Sequence, residues 1–157
     1  MEKKNLNRFL NFSLGNEDYA IPLLGAKEVI AMPEITPIPA APKYFLGIMN
    51  LRGQVISIID LREKLGIRSG ENREENAVII LNLDNVYIGV IVDSIKTVLS
   101  LSQDDLSVPT EVGRNIQLDY ISHFARYEGK LISILNIAKA LDIEEITNAT
   151  NQFQKAA

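Results

Sequence analysis

The chain has 157 residues, 46% hydrophobic and 23% charged, with a formal net charge of −4 and a pI near 5.1. Those totals describe an ordinary soluble globular protein of one compact domain, or two small ones sharing a core. The acidic balance argues against a nucleic-acid backbone binder or a protein that adsorbs to an anionic membrane, and the absence of cysteine excludes disulfides and thiolate metal sites.

Residues 1–7 are polar, with no apolar run of the kind that makes a signal peptide. No stretch approaches the ~18 apolar residues needed to span a bilayer. With a composition that suits a reducing compartment, the expectation is a cytoplasmic protein with no direct membrane insertion. Arg8–Leu14 and Tyr19–Leu23 flank Gly15-Asn16-Glu17-Asp18 and predict a hairpin. Leu24–Met32 fits a strand or a short helix equally well. Pro33–Pro42 holds four of the six prolines. Proline lacks an N–H and cannot sit inside a sheet, so this arm is expected to cross the surface as an extended connector, with Ile35, Ile38 and Ala40 as packing residues.

Gly47–Ile67 is richest in signals. An apolar strand runs to Leu51, a tight turn falls at Arg52-Gly53, and a second strand spans Gln54–Ile59. Asp60 is placed to cap a short helix, with Glu63 at capping-box spacing and Gly66 to end it in the left-handed conformation. Arg52 stands at a hairpin tip where nothing local requires arginine. Its planar guanidinium suits an interface contact.

Arg68–Asn76 is polar and charged, and reads as the boundary between two halves. Ala77–Leu83 and Val86–Val92 form another hairpin around Asp84-Asn85, matching the first with Tyr87 on Tyr19. Ile95–Leu101 continues as a strand, and Ser102–Asn115 is a polar connector containing Pro109. His123–Ile143 then repeats Gly47–Ile67 at an offset of 76 residues. Gly129 falls on Gly53, Ile132-Ser133-Ile134 on Ile56-Ser57-Ile58, and Asn136 on Asp60, where asparagine caps equally well. Glu144–Phe153 is a plausible terminal helix.

The fold expected is mainly β: two similar five-stranded β-barrel subdomains, residues 8–68 and 74–145, packed with a groove between them, and a C-terminal helix and tail over 146–157. Strands this rich in Ile, Val and Leu suit burial on both faces. Catalytic signals are sparse. His123 is the sole histidine, and no nucleophile elbow, phosphate loop or zinc-protease motif occurs. No cofactor and no metal site is expected.

Several stretches together resemble the CheW-type chemotaxis coupling proteins. They are Phe12–Ile21 with Lys27-Glu28-Val29, Asn50-Leu51-Arg52-Gly53 with Asp60-Leu61-Arg62, and Gly89–Asp93 with Val98-Leu99-Ser100-Leu101. The resemblance covers about residues 9–145. It implies a non-enzymatic adaptor of two β-barrels, joining the cytoplasmic tip of methyl-accepting chemoreceptors to the regulatory domain of the chemotaxis histidine kinase. It places the receptor groove on Glu28, Val29, Arg52, Gly53, Ile95 and Val98, and leaves the kinase-facing residues unassigned. The chain departs from the family pattern at Ala26, where valine is usual, at His123, where glycine is common, and at Asn136, where aspartate is common. These changes imply a shallower groove and a less regular second turn. The alternatives are an adaptor of a twitching-motility array or, from another class, a small β-barrel enzyme or ligand binder using the groove. Neither a fused adaptor–receiver nor an intact kinase is expected, since no receiver sequence follows Ala157 and no kinase core precedes Met1.

Overall fold

A computed structural model describes residues 7–68, 73–108 and 120–156. The first half supplies β1 (Asn7–Leu14), β2 (Glu17–Pro22), β3 (Ala26–Ala31), β4 (Phe45–Leu51), β5 (Gln54–Asp60) and helix α1 (Leu61–Leu65). The second supplies β6 (Ala77–Leu83), β7 (Val86–Val92), β8 (Ser94–Leu101), β9 (Leu106–Ser107), β10 (Ile121–Tyr127), β11 (Lys130–Leu135), α2 (Ile137–Ala140) and α3 (Ile143–Ala156). The ambiguous segment after β2 resolves into a 3₁₀ turn over Leu23–Gly25 followed by β3.

The strands do not stay with their own half. One sheet runs β8-β1-β2-β11-β10-β9 and the other β3-β6-β7-β5-β4. Each half therefore lends its first hairpin to the other half's sheet. The joins are parallel ladders, β11 with β2 and β5 with β7. Neither sheet closes into a barrel: β3 and β4 are the edges of one, β8 and β9 of the other. The arm between β3 and β4 is rich in proline and completes only one bridge, Thr36 with Ile48, through bonds of 2.8 and 2.9 Å. Ile35 and Ile38 along that arm are partly buried against the core, as its sequence suggests, whereas Ala40, also expected to pack, is exposed in a left-handed turn at φ 60°.

Burial on both faces explains the apolar strands. A central cluster lies between the sheets, with Leu10, Phe12, Leu14, Tyr19 and Ile21 on one side and Ile79, Leu81, Ile88, Val90 and Val92 on the other. The outer face of each sheet carries its own cluster, around Phe9, Leu99 and Ile132 in one and Ile56, Ile58 and Ile80 in the other.

Pairing registers expose a tighter duplication than the sequence alone. Phe9 faces Pro22 as Val78 faces Ile91, and Leu10 faces Val98 as Ile79 faces Val29. The hairpins and their edge strands thus repeat at an offset of 69 residues. Both hairpin turns hold two residues, since Leu14 pairs with Glu17 and Leu83 with Val86. Tyr87 consequently corresponds to Asp18, not Tyr19. The offset of 76 holds in the backbone too: the Asp60 N–H donates to Tyr44 O and the Asn136 N–H to Tyr120 O, both at 2.7 Å. That bond uses the N–H a capping box would need, so Glu63 does not complete one.

Helix α3 returns to the first half's strands. Ile146 is buried in the central cluster, and the Thr150 hydroxyl lies 2.6 Å from that of Ser57 on β5. The Tyr44 phenol is pushed up to about 12 by burial and by the Glu145 carboxylate. Its pKa is thus raised above the ordinary 10.0, so the fold favours the neutral phenol. This contribution is complete below the unfolded value and disappears as pH rises through the folded one. Alkaline unfolding between about pH 10 and pH 12 should therefore be shallower for Tyr44→Phe than for the parent, read by circular dichroism.

Candidate functional site

The β4–β5 tip is built by its turn. Arg52 and Gly53 both take positive φ, 52° and 82°, as a type I′ hairpin requires. Arginine is poorly suited to that conformation, and only glycine, asparagine or aspartate adopt it cheaply. The Asn50 side chain supports the turn by accepting from the Gly53 N–H at 2.9 Å. Asn82 does the same for Asn85 at 3.1 Å. The repeated Asn-Leu-x-x at the two tips was the sequence signal for this brace.

From that tip the Arg52 guanidinium makes two bonds to the Glu28 carboxylate on β3, at 3.0 and 3.1 Å. Arg52 stays 73% exposed while Glu28 is 26% exposed, so the pair fixes a direction more than it adds stability. Val29, next to Glu28, is 42% exposed. The structure thus unites Glu28, Val29, Arg52 and Gly53 at one corner. Ile95 and Val98 stand on β8, the edge of the other sheet. They pair with Phe12 and Leu10, so they share the side of β1 that faces the central cluster. Val98 is 46% exposed and Ile95 partly buried. Registers make Val98 the counterpart of Val29 and Ile95 that of Ala26.

The cap and turn residues occupy the places expected for them. The Asp60 carboxylate accepts from the N–H groups of Arg62 and Glu63, and Gly66 is left-handed at φ 72°. Asn136 accepts from the Lys139 N–H, and Gly129 has φ 77°. The second tip, Glu128-Gly129, repeats the first at φ 51° and 77°, so the substitution at His123 leaves the turn regular. His123 sits at a strand bulge that mirrors the one at Gly47, with Nδ1 3.1 Å from the Ser122 hydroxyl.

One cluster escaped the sequence reading. Arg62 binds Asp60 through Nε at 3.0 Å and Nη2 at 3.2 Å, and binds Asp93 through Nη1 at 2.6 Å. The other Asp93 oxygen accepts from the Gly15 N–H. This clasp joins the end of β5, the crossing from β7 to β8, and the β1–β2 turn. Burial alone would lower the guanidinium pKa, but the two carboxylates outweigh it and raise it above its ordinary value. Asp93 lies 31 residues from Arg62, and no local pattern advertises the pairing.

Two depressions among the described residues show no catalytic set. A cavity of about 280 Å³ is lined by residues such as Leu81, Leu83, Leu135 and Ile137, with no ionisable side chain in its wall. A wider hollow of about 560 Å³ borders the clasp, where Asp60 and Arg62 already bind each other. Among the described residues, no three His, Asp or Glu side chains gather where they could hold a metal, and no helix is long and apolar enough to cross a membrane.

A family model described as the CheW-like domain matches residues 8–145. The chain belongs to the CheW-like family. It is 33% identical over 148 residues to the chemotaxis protein CheW of Treponema pallidum, covering 92% of this chain and 87% of that one. It is 32% identical over 143 residues to CheW of Klebsiella aerogenes, covering 91% and 86%. The crystal structure of the scaffolding protein TtCheW from Thermoanaerobacter tengcongensis superposes with a TM-score of 0.78 at 28% identity, over 87% of this chain and 88% of that one. CheW-like membership makes the chain a chemotaxis adaptor and not an enzyme. Ala26 is partly buried against the central cluster.

Proposed function

We propose that this CheW-like chain couples the cytoplasmic tip of methyl-accepting chemoreceptors to the regulatory domain of the chemotaxis histidine kinase. The supporting observation is the Arg52–Glu28 pair, a strained and exposed arginine held by two bonds beside a bare valine. A helical partner needs apolar anchors at helical spacing and a polar contact to fix its orientation. Val29, Ile95 and Val98 supply the first, and Glu28 and Arg52 the second. Gly53 lets the tip turn tightly with no side chain of its own. Signalling would consist of changing how receptor and kinase are held, with no covalent step.

Arg52→Asn separates fold from binding. Asparagine prefers the left-handed turn, so the melting temperature should hold or rise slightly. Binding to a receptor-tip fragment should fall by about tenfold or more, as loss of a central interface arginine does. Arg52→Asp, which also repels Glu28, should weaken it further. Calorimetry against the receptor fragment and the kinase regulatory domain, measured separately, checks this. Unchanged receptor affinity in a folded Arg52→Asp protein removes Arg52 from the interface.

A further inference from the structure

One face of the β4–β5 hairpin, carrying Ile48, Val55 and Ser57, is covered by α3. The Glu145 carboxylate lies near the Tyr44 phenol, Ile146 is fully buried, and the Thr150 hydroxyl meets that of Ser57. Ser57 pairs with Ile48, so the helix follows β4 in the direction of that strand. The repeat at an offset of 76 puts Phe124, Leu131 and Ser133 on the matching face of β10–β11. No described helix takes the matching place. After Ile67, the counterpart of Ile143, the chain goes on to β6 at Ala77, and the described residues between them hold a 3₁₀ turn over Arg73–Glu75 and no α-helix.

What α3 supplies in one half is missing in the other. The Ser133 hydroxyl has no partner among the described residues, where Ser57 has Thr150. Leu131 is 57% exposed, where Val55 is partly buried. A cavity of about 80 Å³ is walled by Tyr19, Leu65, Ile67, Tyr120, Ile121 and Leu135, the last two residues past Ser133 on the same face of β11. Their counterparts, Ile88, Leu141, Ile143, Tyr44, Phe45 and Ile59, all pack in the central cluster with Ile146. The sequence counterpart of Ile146 is Gly70, which has no side chain to offer.

We infer that this face docks an amphipathic helix from another protein, seated as α3 is seated in the first half. The sister contact dictates its chemistry: a branched apolar residue for the cavity, a serine or threonine four residues on for Ser133, and a carboxylate one turn further. The carboxylate follows from Arg126. That residue stands where the first half has Asn50, and it is exposed with no ion-pair partner among the described residues. Glu17, on the neighbouring strand β2, is engaged with the Tyr19 phenol instead. Four helical residues rise about 6 Å, close to the two strand residues that separate Phe124 from Arg126. Positions i, i+4 and i+8 share one side of a helix, so a single stripe makes all three contacts. Its acid is complementary to the guanidinium. A second copy of this chain does not supply the helix, because its Ile146 and Thr150 are already engaged in its own fold. This surface shares no residue with the Arg52 corner and does not depend on receptor coupling.

The probe is a peptide of residues 142–157 carrying Gln154→Glu and Asn148→Lys, locked as a helix by a lactam between positions 144 and 148, both exposed on α3. Titrated into the isotope-labelled intact chain, it should bind one-to-one and saturate, with amide shifts centred on Phe124, Arg126, Leu131 and Ser133 in magnetic resonance spectra. Leu131→Asp in the chain should weaken binding about tenfold or more and leave the melting temperature unchanged, Leu131 being exposed. Arg126→Glu should weaken it several-fold, and a peptide carrying Gln154→Lys should recover the loss. No saturation at millimolar peptide overturns the inference. So does saturation with shifts centred on Ile48 and Ser57, which is exchange with α3 in its own place. Equal affinity in a folded Leu131→Asp chain overturns it as well.

Discussion

Asp93→Ala should lower stability by about 3–5 kcal/mol, the usual result of removing one member of a buried ion pair. Asp93 is 5% exposed, and the Arg62 side chain is also largely shielded. Without Asp93, the guanidinium keeps its two bonds to Asp60 but loses its second counter-charge, and the Gly15 N–H loses its acceptor. An unpaired charge in a shielded site costs more than the intact pair contributes. The melting temperature should fall by roughly 10 °C for a domain of this length. The double replacement Arg62→Met with Asp93→Leu should lose less than the sum of its two singles, because each single leaves the other partner's charge stranded, although Asp60 still gives up its two bonds from Arg62. Urea denaturation of parent, single and double variants measures all three. A double variant that loses the sum of its singles would show the pair to be no coupled unit.

Gly47→Ala should be comparably damaging, for a steric reason. Gly47 has φ 149°, a region that side chains rarely enter, and a Cβ there would lie 2.1 Å from the Thr36 carbonyl oxygen. The obstacle is backbone, so no rotamer change relieves it. The proline arm must lift, breaking both Thr36–Ile48 bonds and loosening Ile35 from the core beneath. A loss of about 3 kcal/mol or more is expected from strain and lost packing together. Hydrogen exchange should accelerate most at the Thr36 and Ile48 amides. His123→Ala provides the contrast. It stands at the matching bulge and already carries a side chain there, so its change should stay within about 1 kcal/mol.

Much of this architecture was legible in the residues. The offset of 76, the hairpins at Arg52-Gly53 and Glu128-Gly129, and the caps at Asp60 and Asn136 rest on local chemistry, and local chemistry is what a sequence displays. Sheet membership was not legible. Both first hairpins carry apolar residues on both faces, so each could complete either half's β5- or β11-type strand. The choice is made by parallel ladders between residues far apart, such as Ser57 with Ile88 and Ser133 with Tyr19. Closure into barrels failed for a similar reason, since the strand count was right for one sheet but the proline arm could supply only a bridge. At the candidate site, the Arg52–Glu28 bond joins residues 24 apart, and the motif gave both names without their contact.

The exchange of hairpins also sets an order of events as the polypeptide leaves the ribosome. Everything needed for the sheet β3-β6-β7-β5-β4 is available once residue 92 has emerged. The opening hairpin, made first, must wait for Lys130–Leu135 before its parallel neighbour exists. The earliest segment synthesised is thus among the last to find its place, with an unpaired edge and an apolar face to shield meanwhile. Cutting the gene between the two repeats should accordingly yield no independent pieces, and co-expressed fragments should recover the molecule only together.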